Sequence, residues 1–368
     1  MIDPAQFKGR VTCITGHEKN CGKTQFMNYL AHELAFAGSG TSVCGGLAVN
    51  TNGHEAPAVI SCVHGAPSNE SNVHKALRGS ASVRTVPAGE KNGARLAVMT
   101  AGYDGESSDL LSGAKKPLIK VYPGTIVVTP ERFLKTSLIL PEILEVVPGS
   151  TSLGTCCIAR ARRAGTVTLA SGEGNASLRW TLDFLTSNRL ADTILIDGAF
   201  NRITQVGAWP GAQLVYVLRV DPINFKKSLE NIERLLLLLS LNAAALDTVS
   251  PGPGGFAQPG ITLSGAPAQP AGNHDDTVCE HIDVLSLETI RNIPERARTI
   301  IIEDFTHVFL PLRELKALLH DKQLLVKRTI PCAGIPVIVR GISFHDFFNA
   351  VPDLPLKHLM FQNPYEHL

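Results

Sequence analysis

The sequence predicts an α/β fold, a mainly parallel twisted sheet flanked by helices. Three observations predict it. Short β-favouring runs alternate with segments of helical period along much of the chain. One of the strands, Asp192–Asp197 (D-T-I-L-I-D), is apolar enough to lie inside a sheet covered on both faces. A loop containing glycine and lysine joins the first strand directly to the first helix.

Arg10–Thr15 (R-V-T-C-I-T) reads as that first strand. Thr24–Ala37 is helical, with apolar residues at Phe26, Tyr29, Leu30, Leu34 and Ala35. Ala37-Gly38-Ser39-Gly40 ends the helix, and Thr41–Val49 reads as the next strand. Residues 50–94, rich in Asn, Gly, Ser, Ala and Pro, read as an irregular insertion. Further strands are expected at Ala94–Thr100, Thr125–Thr129, Gly154–Ala159, Thr166–Ala170, Asp192–Asp197 and Gln213–Leu218. Helices are expected over most of Pro130–Val147, over Ala176–Ser187 and over Asn224–Leu241. A Pro/Gly-rich stretch over 248–276 reads as a linker or long loop. It divides the chain into a first domain, 1–247, and a smaller C-terminal α/β region, 277–368. That region carries strands at Thr299–Glu303, Gln323–Lys327 and Ile335–Arg340, and a helix at Pro311–Leu319. Two domains is the natural expectation for 368 residues.

Composition narrows the function classes. Hydrophobic residues at 44% and charged residues at 18% fit a globular chain. A formal net charge of +1 offers no global attraction to nucleic acid or an anionic membrane, so neither is an expected partner. The longest apolar run, Leu235–Leu239, is far short of a membrane span. Met1-Ile2-Asp3-Pro4 has no secretory pattern, so a cytoplasmic location is expected. The eight cysteines (13, 21, 44, 62, 156, 157, 279, 332) include no C-x-x-C pair, which argues for reduced, buried thiols.

The chemistry concentrates in Gly16-His17-Glu18-Lys19-Asn20-Cys21-Gly22-Lys23-Thr24, followed by Gln25. The usual phosphate-loop pattern, G-x-x-x-x-G-K-[ST], would place its first glycine at 17, where this chain has His17; Gly16 comes one residue early. The setting is still the one the mechanism needs, a strand before and a helix directly after. Backbone N–H groups of such a loop and of the first helical turn converge on phosphate, helped by the helix dipole. Gly22 allows close backbone approach, Lys23 reaches the β- and γ-phosphates, and Thr24 offers a hydroxyl to Mg²⁺. The expected fold is therefore that of a P-loop NTPase, with ATP and Mg²⁺ as its ligands. No N-K-x-D sequence is present to read guanine.

A carboxylate is needed at the metal and the attacking water. Asp197, ending the apolar strand Ile194-Leu195-Ile196, stands where the ligand crevice of a parallel sheet lies. A strand-end aspartate that caps the next turn is the competing account. Tyr103-Asp104-Gly105-Glu106-Ser107-Ser108-Asp109 follows another strand and supplies Asp104 as a second candidate; a solvated turn explains it equally well.

The phrase T-G-H-E-K-N-C-G-K-T (15–24) resembles the loop of the nucleotide-binding ATPase subunit of the lysine-5,6-/ornithine aminomutase reactivases. Three further pieces resemble that family in the same order. They are Asp104-Gly105-Glu106 with Lys116-Pro117 through Gly124-Thr125, Ile196-Asp197-Gly198-Ala199-Phe200-Asn201-Arg202, and Asn363-Pro364-Tyr365. The resemblance implies a SIMIBI-like, dimerising P-loop fold, and hence a homodimer. It also implies an ATPase that expels damaged cobalamin from an adenosylcobalamin-dependent aminomutase of lysine fermentation, together with a second reactivase ATPase subunit. Carried over, Gly22, Lys23 and Thr24 would bind phosphate and Mg²⁺, and Asp104 and Asp197 would stand at metal and water; Glu106 and Asp109 are secondary candidates.

Two other readings of the same loop stay open. One is an ATP-dependent biosynthetic ligase of the dethiobiotin-synthase-like kind or of cofactor metabolism. The other is a non-catalytic scaffold with a drifted loop, for which His17 is the best support. Among other groupings, His54, His64 and His74 follow no structural period and read as solvated loop residues. Cys156 and Cys157, adjacent on a strand, should point to opposite faces. Arg160, Arg162 and Arg163 read as a solvated basic turn.

Overall fold

The computed structural model describes residues 2–16, 21–36, 95–101, 118–149, 151–171, 175–198, 209, 211–244 and 278–363. The expected strand Thr41–Val49, the insertion 50–94 and the linker 248–276 lie outside the described residues.

In chain order the first half comprises β1 (Val11–Gly16), α1 (Lys23–Phe36), β2 (Leu96–Thr100), β3 (Ile119–Val121) and β4 (Ile126–Pro130). Then follow α2 (Glu131–Lys135), β5 (Pro141–Val146), β6 (Cys156–Ala161), β7 (Gly165–Val167), α3 (Asn175–Ser187) and β8 (Thr193–Asp197). Next come β9 (Gln213–Val220), α4 (Phe225–Leu239), β10 (Val278–His281), β11 (Ala297–Ile302) and α5 (Leu312–Asp321). The chain continues through β12 (Gln323–Val326), β13 (Cys332–Val339), α6 (Phe344–Ala350) and β14 (Met360–Gln362).

Nine of these strands form one sheet in the order β14-β13-β9-β1-β8-β2-β4-β6-β5. Every pairing from β14 to β4 is parallel, and β6 is antiparallel to both β4 and β5. β1 thus sits inside the sheet between β8 and β9. Alternation along β1 explains the two layers that cover it. Val11 and Cys13 join one apolar cluster with Leu182 and Leu185 of α3 and Ile232, Leu235 and Leu236 of α4. Ile14 joins the opposite cluster, with Phe26, Met27, Leu30 and Leu34 of α1. Those four side chains are fully buried, and each contributes about 1.5–3 kcal/mol of hydrophobic stabilisation. The chain is therefore α/β, with helices on both faces of a large, mostly parallel mixed sheet. Among the described residues, no helix is long and apolar enough to cross a membrane.

Two expectations need correction. The helix expected over Pro130–Val147 stops after five residues at Lys135, and β5 follows as an edge strand. The Ser137 and Thr136 hydroxyls donate to carbonyls of the last turn, at 2.7 Å to Leu134 and 3.3 Å to Phe133, which closes it early. Pro141 cannot occupy a helix interior. The C-terminal stretch 277–368, expected as one smaller region, divides between two sheets. β10, β11 and β12 form a separate three-stranded parallel sheet, whereas β13 and β14 extend the large sheet beyond β9. The two sheets share a core, since Ile300, Ile302, Leu324 and Val326 join the α4 cluster.

The small sheet is tied at its C-terminal edge by Asp304, which is fully buried. Its Oδ1 accepts from Thr306 N at 3.0 Å and from Thr306 Oγ1 at 2.5 Å, and its Oδ2 accepts from Arg328 Nη2 at 2.7 Å. One carboxylate therefore links the turn after β11 to the turn after β12. Removing it leaves a partly exposed guanidinium without its counter-charge. Asp304→Ala should lower unfolding free energy by about 3 kcal/mol, read from the midpoint of urea denaturation.

Candidate functional site

The C-terminal end of β1 is where the chain must turn out of the sheet and into α1. β1 ends at Gly16 and α1 begins at Lys23. His17, Glu18, Lys19 and Asn20 lie outside the described residues, as does Asp104. The rest of the expected loop, Gly16 and Cys21 to Gln25, is described, and its packing is tight. A Cβ on Gly16 would collide with Cys21 Sγ and lie 2.9 Å from the Val217 carbonyl oxygen and 3.3 Å from Lys23 Cγ. The chain has therefore doubled back, so that Cys21 and Lys23 rest against the end of the strand they left. Cys21 is fully buried in the α1 cluster and anchors the return.

Gly22 turns the chain into the helix with φ +94°, a left-handed conformation that favours glycine. A Cβ there would also collide with Ile338 Cδ1 of β13. Phe26 N donates to Gly22 O at 3.0 Å, the first bond of the helical ladder. The N–H groups of Lys23, Thr24 and Gln25 precede that bond and belong to the first turn, which has no intrahelical acceptors. Gln25 is exposed, and Lys23 and Thr24 are half-buried.

Asp197 ends β8, the strand beside β1, and pairs with Ile14 in register. Its backbone is held from both sides. Its carbonyl accepts from Ala101 N at 2.9 Å and Thr100 Oγ1 at 2.9 Å, and the following Gly198 N donates to Ile14 O at 3.1 Å. A buried thiol reports on the charges nearby. Burial first, and then the Asp197 carboxylate, push Cys13 up to about 12, while the Lys23 ammonium pulls the other way. Asp197 and Lys23 thus both act on Cys13, a buried residue of β1, and Thr24 follows Lys23 in the first turn of α1. Among the described residues, no three His, Cys, Asp or Glu side chains form a metal-holding group. A cation shared between a threonine hydroxyl, phosphate oxygens and one carboxylate does not need such a group, and Thr24 and Asp197 are the residues that could supply those donors.

Sequence reasoning missed the underside of this site. Val217 of β9 and Ile338 of β13 support Gly16 and Gly22, and nothing in the local motif names them. Thr15 is fully buried, and its Oγ1 has no hydrogen-bond partner. Asn363 follows β14, its N–H donating to Val337 O at 2.8 Å. The remaining groupings are structural. Cys156 and Cys157 enter opposite clusters, as alternation requires. Glu142 pairs with Arg160 at 3.4 Å and Arg162 at 2.6 Å, and Arg163 Nε donates to Leu138 O at 3.0 Å.

Comparison with family models, with curated proteins and with solved structures found no match to this chain.

Two outcomes check this geometry. Gly16→Ala should destabilise the fold by roughly 1–3 kcal/mol, through overpacking against Cys21 and Val217. Adding Cys21→Ala should recover part of that loss in thermal melts, because only the sulfur contact is relieved. Cys13 should resist alkylation at about pH 8 in the native protein and react only after denaturation, as peptide mapping would show. Its folded value lies above the ordinary 9.0, so the thiol stays protonated where an exposed cysteine begins to ionise.

Proposed function

We propose that the chain is a P-loop ATPase whose phosphate-binding loop runs from Gly16 to Thr24. The observation that carries this reading is the doubled-back turn at the end of β1. Two glycines there sit where an added Cβ would collide with a neighbour, a helix begins at a lysine–threonine pair, and Asp197 ends the strand next to β1. Such a turn presents main-chain N–H groups and a helix N-terminus to one anionic group.

In this reading the first-turn N–H groups and the Lys23 ammonium bind the phosphate oxygens of ATP. Thr24 and Asp197 would hold Mg²⁺, which when bound neutralises charge between the β- and γ-phosphates. Asp197 accepts a hydrogen bond from the attacking water and orients it. Water attacks the γ-phosphorus, the bond to the β,γ-bridging oxygen breaks, and ADP and inorganic phosphate leave.

The biological role we propose is that of the aminomutase reactivases: a cytoplasmic helper that uses ATP to release damaged cobalamin, working with a second ATPase subunit. The support for this step is the resemblance of residues 15–24, 104–106, 116–125, 196–202 and 363–365, taken in order.

Lys23→Ala should weaken ATP binding at least roughly tenfold and abolish Mg²⁺-dependent hydrolysis. Unchanged ATP affinity in that variant would refute the phosphate-loop reading. Asp197→Asn should retain ATP binding while hydrolysis falls about a hundredfold, measured as phosphate release. The partner assignment predicts that ATP turnover rises when an aminomutase loaded with inactive cobalamin is added, and that the cobalamin is released. Turnover that responds only to a small carboxylic-acid or amine substrate would indicate a ligase instead.

A further inference from the structure

Arg219, near the end of β9, stands on the same rim as the phosphate loop. Parallel pairing aligns Gly16 with Val217, so Arg219 lies two residues further along the neighbouring strand. Val215 and Val217 belong to the α1 cluster, and alternation places Arg219 on that same face. On its other side it pairs in register with Ile338, the residue whose Cδ1 lies against Gly22. Arg219 is therefore separated from the turn into α1 by a single apolar side chain.

Its guanidinium is placed but not consumed by the protein. Nε is buried and has no hydrogen-bond partner. Nη2 lies 3.7 Å from Asp221 Oδ2, close enough for charge attraction and too far for a hydrogen bond. Asp221 cannot readily move closer, because its other oxygen accepts from Ile223 N at 3.1 Å and Asn224 N at 3.0 Å. Asn224 Oδ1 accepts in turn from Asp221 N at 2.8 Å, which closes the turn on itself. The side chain is 30% exposed, so part of the guanidinium faces outward. A buried N–H without an acceptor costs free energy, and a ligand that draws the group outward recovers it.

Position then decides which part of a nucleotide would meet it. Asp197 and Arg219 lie on opposite sides of β1, on β8 and β9; Asp197 pairs with Ile14, whereas Arg219 lies two residues past the partner of Gly16, so two strand spacings and four residues of rise set them about 16 Å apart. If the metal and terminal phosphate sit at the Asp197 side, the nucleoside extends over β9. We infer that Arg219 holds the nucleoside end of ATP, its planar guanidinium donating to or stacking on the nucleoside. This rests on the phosphate-loop reading.

The test is calorimetric titration of wild type and Arg219→Ala with two probes, ATP and inorganic tripolyphosphate, each with Mg²⁺. The inference predicts that Arg219→Ala weakens ATP roughly tenfold or more and leaves tripolyphosphate unchanged. Unchanged tripolyphosphate affinity also shows that the variant is folded. Equal weakening of both probes would overturn the inference, because Arg219 would then serve the phosphates or the fold. Unchanged ATP affinity would overturn it as well. If wild type binds neither probe, the phosphate-loop reading itself fails, which separates the two outcomes.

Discussion

The contact between Gly16 and the returning Cys21 sets the geometry of the rest of the site. A parallel strand inside a sheet must deliver its chain outward at the C-terminal edge. Here the Cys21 and Lys23 side chains and the Val217 carbonyl of β9 crowd Gly16, near enough that a single methyl group there has no room. Burial of Cys21 among α1's apolar side chains holds the return in place, and the left-handed turn at Gly22 leads directly into α1. β9 and β13 form the floor of that turn. The turn is therefore a property of three neighbouring strands as much as of its own residues.

The same packing accounts for the local electrostatics. Asp197 and Lys23 reach the rim from different elements, and both are felt by Cys13 beneath them. Burial keeps the Cys13 thiol neutral. Arg219 adds a second cation on the far side of β1, so the rim carries charge on both flanks of its central strand.

Much of the central sheet was legible because its strands obey simple rules. Ile194-Leu195-Ile196 and Leu214–Leu218 are apolar on both faces, which only a covered parallel strand tolerates. The G-K-T triplet marked the start of α1 to within one residue. Pro141 was the available signal against a long helix at 130–147, and its position six residues past Lys135 was the cue for a strand. The placement of β13 beside β9 was not legible, because pairing across more than a hundred residues leaves no local trace. For the same reason the roles of Ile338, Val217 and Arg219 emerged only once three separate strands lay side by side. The early position of Gly16 shows the limit of a motif read as a string. The pattern places a glycine by count, whereas the fold places it where two stretches of backbone meet.

The central claim is that the turn between β1 and α1 holds the phosphates of a nucleotide. A crystal structure with a non-hydrolysable ATP analogue and Mg²⁺ tests it most directly. The account predicts the β-phosphate within hydrogen-bonding distance of the main-chain N–H groups at Gly22, Lys23 and Thr24, with Lys23 on its oxygens. A nucleotide bound at any other place, with this turn occupied only by solvent, would contradict it.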